Sequence, residues 1–147
     1  MSKKRRVTIQ DDYGEHIAAI YLPEDSIDLE DGVLDGLCAN GVSTLRGRSF
    51  ARSSLYWAML QESDLSGCNF EDANLQGANL MGANLRGANL RRANLSKDNL
   101  GGPTRLQGAN LTDSLMDQCN ASGAEYDSST RFPAGFNPEG AGMTAAG

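Results

Sequence analysis

The side chains of this chain that could do covalent or acid–base chemistry are few. There is one histidine, His16, three cysteines, Cys38, Cys68 and Cys119, and adjacent carboxylates such as Glu71 and Asp72. Nucleophilic catalysis needs a base beside the nucleophile, and a metal centre needs several ligands at short recurring spacings. No second histidine, metal-like cysteine spacing or glycine-rich loop after a strand accompanies these residues. His16 lies in an alternating apolar–polar segment, where a surface or half-buried structural role is expected. Glu71 and Asp72 belong to outward positions of a repeat, where a solvated face is expected and not an acid–base pair. Gly77, Gly82 and Gly87 recur every five residues because corners need permissive dihedrals, so they read as turn residues and not as a phosphate cradle. The expectation is a protein with no catalytic residues, no metal, no cofactor and no small-molecule substrate.

What organises the chain is a period of five. "ANLQGANLMGANLRGANLRRANLS", Ala73 to Ser96, repeats Ala-Asn-Leu with little variation. In an α-helix five residues turn a side chain by about 500°, so the leucines would spiral round the axis. In one continuous strand they would fall on opposite faces in turn. The spacing works if the chain turns a corner in every repeat and each short extended piece aims its leucine at one interior. The inward markers run Leu45, Phe50, Leu55, Leu60, Leu65, Phe70, Leu75, Leu80, Leu85, Leu90, Leu95 and Leu100. After "GGPTRL", which inserts one residue in this count, they resume at Leu106, Leu111, Met116, Ala121 and Tyr126. Two positions before each marker the residue is small, as two side chains sharing a crowded interior require. Arg48, Asp98 and Arg105 depart from the pattern and mark local irregularity. The residue between, mostly asparagine, points outward and caps corners.

These residues resemble the pentapeptide-repeat proteins, whose consensus is Ala-(Asp/Asn)-Leu-X-X, from Leu45 to Tyr126. The resemblance implies an all-β fold, a right-handed quadrilateral β-helix of about four coils. Residues 1–44 are then an N-terminal cap, 45–131 the β-helix, and 132–147 a C-terminal cap and tail. "VTIQDDYGEHIAAIYLP" suggests a hairpin of Val7–Gln10 and His16–Leu22. Residues 24–44 read as irregular coil or a short helical turn, Phe132 and Phe136 as a lid, Pro133 and Pro138 as stops to strand pairing, and "SKKRR" and "TAAG" as disordered ends.

The net charge is −6 over 147 residues. Residues 1–44 carry nine acids against four bases, whereas 45–131 carry nine of each. The coil is therefore neutral, which argues against nucleic acid as a partner. No apolar run approaches the length of a membrane span and no apolar region follows "MSKKRR", so a bacterial cytoplasmic location is expected. Cys68 and Cys119 take the small inward position on different faces and read as buried free thiols. The sequons at Asn94, Asn110 and Asn120 are products of the repeat.

Binding is what remains. The first reading is a protein–protein interaction scaffold of unidentified partner, a monomer or weak dimer. The alternative, implied by the resemblance, is a DNA mimic that binds DNA gyrase and gives resistance to gyrase poisons. The candidate partner surface is Tyr56, Trp57, Met81, Arg86 and Arg91. Either Tyr56 and Trp57 form an exposed aromatic patch, or the N-terminal segment covers them. A second surface, with Gln61, Met81, Gly82, Gly101 and Gly102, reads as nearly free of charge. In the four-sided coil that the resemblance implies, counting by fives stacks Phe50, Phe70, Leu90 and Leu111, and outside them Arg52, Asp72, Arg92 and Asp113, an alternating ladder that cannot imitate a row of phosphates.

Overall fold

The computed structural model describes residues 3–25 and 27–146; Met1, Ser2, Ser26 and Gly147 lie outside the described residues. The chain begins with an antiparallel hairpin of β1 (Lys4–Gln10) and β2 (His16–Pro23). Alternation in both strands sends Ile9 and Leu22 inward. Between them Gly14 donates its N–H to Asp11 O at 3.1 Å, with φ +82°, a conformation open to a residue without Cβ. The basic run is not a disordered start. Lys4, Arg5 and Arg6 pair with Pro23, Leu22 and Tyr21, and Arg5 Nη2 donates to Asp28 O at 2.7 Å. Pairing satisfies backbone groups that the longer β2 would otherwise leave open.

Beyond the hairpin the chain pairs in parallel with itself. Ser49 meets Asn69, Ser54 meets Asn74, Met59 meets Asn79 and Asp64 meets Asn84, each pair 20 residues apart, or four repeats. Each contact is one residue wide because a corner follows it. This is a β-helix. Its ladders start ahead of Leu45, for Val33 pairs with Ser54 and Cys38 with Met59. The stretch expected to be irregular is therefore a layer of its own, with Leu29, Leu34, Leu37 and Val42 buried. Uneven spacing of those four residues hides the layer in the sequence. Among the described residues no helix is long and apolar enough to cross a membrane.

The inward side chains form columns. Phe50 and Phe70 stack with ring centroids 5.1 Å apart and planes 8° apart. Leu55, Leu65, Leu75, Leu80, Leu85, Leu90 and Leu95 are fully buried, as are Ala58, Ala78, Ala83 and Cys68 beside them. Oδ1 of Asn69, Asn74, Asn79, Asn84, Asn89, Asn94, Asn110 and Asn120 accepts the N–H two residues on, at 3.0–3.2 Å. A residue that favours strands poorly thus serves by closing its own corner.

The break in the repeat is larger than one residue. Asn79 pairs with Arg105, Asn84 with Asn110 and Asn89 with Leu115, all 26 apart, so six residues are extra. Leu100, expected inward, is 84% exposed on this excursion. Counting by fives across the loop took its Leu100 repeat for a side of the coil, and this shifts the later register. Leu90 N donates to Leu115 O, which sets Met116, not Leu111, in the column of Phe50, Phe70 and Leu90; Leu111 follows Leu85, whose N–H donates to Asn110 O. Arg105 is a regular outward bridge residue. Arg48 is half-buried and paired with Asp28 at 2.7 Å.

At the far end Phe132 and Phe136 pack on the core with ring centroids 5.1 Å apart, and Met143 is buried with them. Strand pairing resumes after both prolines. β3 (Glu125–Tyr126) pairs in parallel with β4 (Thr144–Ala145), so most of "TAAG" is ordered. The turn from Asn137 to Gly142 brings the chain back, with Met143 as the apolar anchor.

Two measurements check this packing. Leu85→Ala, in the middle of the columns, should lower the free energy of unfolding in denaturant by about 2–5 kcal/mol through the cavity it leaves. Burial pushes the Cys68 thiol up to about 11 and the Cys119 thiol up to about 12, while Cys38 is exposed. Cys119, expected to be buried, is half-buried, so a thiol-specific reagent at pH 8 should modify Cys38 quickly, Cys119 slowly and Cys68 only under denaturing conditions.

Candidate functional site

The five candidate contact residues follow bridge positions on four separate ladders. Tyr56 and Trp57 follow Ser54, Met81 follows Asn79, Arg86 follows Asn84 and Arg91 follows Asn89. They do not make one surface. Arg91 Nε lies 3.1 Å from Asp117, and Arg86 lies 3.7 Å from Asp113, which the extra residues move away from Arg92. Met81 is half-buried. Its side is not free of charge, because the Glu62 carboxylate lies over Gly82 at 2.7 Å from where a Cβ would stand. Gly101 and Gly102 belong to the excursion and not to this side.

Charge on the Phe50 side alternates between layers. Arg52 pairs with Glu30 at 3.1 Å and Asp31 at 2.9 Å. In the layers beyond, Arg92 pairs with Glu71 and, at 3.0 Å, with Asp72. The first hydrogen-bonding partner of each, Asp31 for Arg52 and Asp72 for Arg92, raises the pKa of that guanidinium. Asp28, held low against the opposing effect of burial, is tied to Arg48 and to Ser49 N. Three of the nine N-terminal acids, Asp28, Glu30 and Asp31, are thus paired with arginines of the next layer.

Trp57 is where the surface departs from a plain repeat. Among the described residues the N-terminal segment does not bury it; it is 49% exposed. It occupies a corner at φ +59° and stacks on Tyr56 with centroids 5.5 Å apart and planes 9° apart. Its indole lies across Gly77, where any Cβ would collide with the ring. Nε1 donates to Asp98 Oδ2 at 2.5 Å, while Asp98 Oδ1 accepts from Leu100 N at 2.8 Å and Gly102 N at 2.7 Å. One buried carboxylate therefore shapes the excursion and holds the tryptophan. Its pKa is lowered chiefly by the N–H of Gly102, against burial, with help from the indole and Leu100 N. Where the ladder is interrupted, Thr104 Oγ1 accepts from Gly77 N at 3.0 Å and donates to Leu75 O at 3.0 Å.

A cleft of about 280 Å³ results, with Trp57, Met59 and Pro103 as apolar walls, Asp98 inside and Arg105 at the edge. It brings together no nucleophile and base, so its chemistry is recognition: apolar contact, the Asp98 carboxylate, the Asn79 amide and the Arg105 cation. Sequence reasoning reached Trp57 but missed Asp98, Thr104 and Met59 as its supports. The available signal was Asp98 itself, an acid at a position otherwise small, followed by Gly-Gly-Pro.

A family model described as pentapeptide repeats matches eight copies over residues 63–100. Among solved structures, a pentapeptide repeat protein from Nostoc Pcc 7120 is 24% identical, with 81% of this chain and 86% of that chain covered and a TM-score of 0.40. One from the Arabidopsis thaliana thylakoid lumen is 31% identical over 69% of this chain and 66% of that one, with a TM-score of 0.44. One from the cyanobacterium Cyanothece 51142 is 29% identical over 76% and 71%, with a TM-score of 0.31. No curated protein matches the chain.

Acid should release the tryptophan. The Asp98 carboxyl titrates below its ordinary 3.8 in the folded chain, so its contribution is present above that value and is lost as pH falls through the lower, folded one. Trp57 is the single tryptophan, so emission reports this site alone. It should be constant from neutral pH to mildly acidic pH, then shift to the red with greater acrylamide quenching below pH 3.8. Asp98→Asn should show the red-shifted, quenchable emission already at neutral pH, with the far-UV circular dichroism of the wild type.

Proposed function

Since the chain belongs to the pentapeptide-repeat family, we propose that it is a non-enzymatic protein–protein interaction scaffold whose contact surface centres on Trp57. In this reading the repeats of 45–131 wind as a right-handed quadrilateral β-helix of about four coils, preceded by the layer that holds Leu29 to Val42. The hairpin covers that end, and residues 132–147 cover the other. Three free cysteines suit a reducing compartment, which favours the cytoplasm. Tyr56 joins Trp57 as contact; Met81, Arg86 and Arg91 follow other ladders and lie outside this contact surface.

The observation that carries the reading is the half-exposed Trp57, stacked on Tyr56 and fixed by Asp98. Exposed aromatics cost a protein solubility, and anchoring one beforehand lowers the entropy lost when a partner covers it. A gyrase-binding DNA mimic needs one sign of charge over several base pairs, and opposite charges stacked between neighbouring layers cancel within about 8 Å. Glu30 and Asp31 are engaged by Arg52, and Asp28 by Arg48.

Two assays decide between them. Immobilised wild type should retain a specific protein from source lysate that Trp57→Ala does not retain. Gyrase supercoiling, with or without a quinolone, should be unchanged at low micromolar protein. Inhibition or protection that disappears with Glu24→Gln and Asp25→Asn would put the DNA-mimic reading in its place.

A further inference from the structure

The cleft beside Trp57 has a shape and a chemistry that can be matched within the same sequence. Its walls are apolar, Trp57 and Met59 being 49% and 44% exposed. Inside, Asp98 Oδ2 accepts from the indole and, as a carboxylate oxygen, has a second lone pair. At the edge stands Arg105, exposed and with no ion pair among the described residues. Such a site suits a phenol: a flat apolar ring, an O–H to donate inward, and negative charge beside it to meet the guanidinium.

The hairpin turn presents that group. Tyr13 is 92% exposed, the most exposed large apolar side chain among the described residues. It stands between Asp12 and Glu15, both exposed. The turn is fixed: Asp11 Oδ1 accepts from Tyr13 N at 2.8 Å and Glu15 N at 2.9 Å, and Asp12 Oδ1 accepts from Ser43 N at 2.8 Å. The N–H of Ser43, with its hydroxyl, holds the Asp12 carboxyl below its ordinary value, so it stays charged. The ring therefore projects from a rigid support, and little chain entropy is lost when it is covered.

We propose that the Trp57 cleft is a docking site for the Tyr13 turn of a second copy of this chain, the phenol between Trp57 and Met59 with its O–H donated to Asp98, and Asp12 and Glu15 facing Arg105. This rests on the reading of Trp57 as a contact residue and names its partner. Turn and cleft are different surfaces, so the contact is head to tail and each copy offers one of each. A single tyrosine knob makes a small interface, so association is weak and is weakened further by salt.

Sedimentation velocity over a wide range of protein concentration tests it, with Trp57 emission followed in parallel. The wild-type mass should rise with concentration. Tyr13→Ala, which keeps the cleft, and Arg105→Glu, which keeps the turn, should each weaken association about tenfold or more. Mixing the two variants should restore it, but only as far as pairs, because one intact turn meets one intact cleft. Circular dichroism of each variant confirms its fold. A wild type that stays monomeric, a Tyr13→Ala chain that associates as the wild type does, or a mixture that fails to pair would each overturn the proposal. A monomer that still captures a lysate protein through Trp57 would overturn only this docking, whereas loss of Trp57-dependent capture would overturn the scaffold reading.

Discussion

Everything in this molecule depends on turning the chain once every five residues while keeping its backbone paired. The turn passes through the left-handed region of backbone space, which a side chain makes costly. Gly77, Gly82 and Gly87 meet the demand without strain, at φ +69°, +68° and +69°; Arg52, Trp57, Glu62, Asp72 and Arg92 meet it with a Cβ in place, at φ 56–59°. What holds the strained corners is the pairing on either side, with the Asn69 and Asn89 oxygens capping the bends at Asp72 and Arg92, and Asp28, Asp35 and Asn40 of the preceding layer accepting from Ser49, Tyr56 and Gln61 N ahead of Arg52, Trp57 and Glu62. Where a side chain stands at a corner it can interact with the next layer: Arg52 and Arg92 form ion pairs there, and Trp57 lies across Gly77. Where a glycine stands, a neighbour has room to lie flat. The sequence of corners is therefore the sequence of the surface.

The Trp57 site is built from that rule and one violation of it. Six extra residues leave the coil after Leu95, and a carboxylate that would have faced the core serves instead as the hub of the loop. The loop does not disturb the columns, because Thr104 takes the small inward place and its hydroxyl repairs the missing rung at Gly77. Local irregularity and global regularity thus coexist: the core continues with Leu106 over Leu80 while the surface gains a wall, an acceptor and a cleft.

The five-residue spacing carried the cornered solenoid and the inward and outward assignments, since each follows from where a period of five must point a side chain; the stacking of Phe50 on Phe70 needed also the four-sided coil that the family resemblance implied. It carried less wherever the period slips. Leu100 fits the count and still lies outside, because nothing in a list of leucines distinguishes a side of the coil from a loop of nearly the same length. Leu29 to Val42 form a layer without a visible period, because burial there is shared with the hairpin. Trp57 could be named as a candidate from its outward position, but its support could not. The contact with Asp98 joins residues 41 apart and depends on the length of an excursion that only the fold reveals.

The excursion has a consequence for how such a chain can change. Because Ser96 and Thr104 return to one corner with the ladders intact on both sides, the number of residues between them is not bound to multiples of five. A β-helix of this kind separates two kinds of variation: substitutions at corners repaint its surface, while insertions at a single corner add bulk without displacing a layer. The corner at 96–104 is thus a natural graft point, and a foreign loop placed there would be displayed on a stiff support whose core need not be redesigned to receive it.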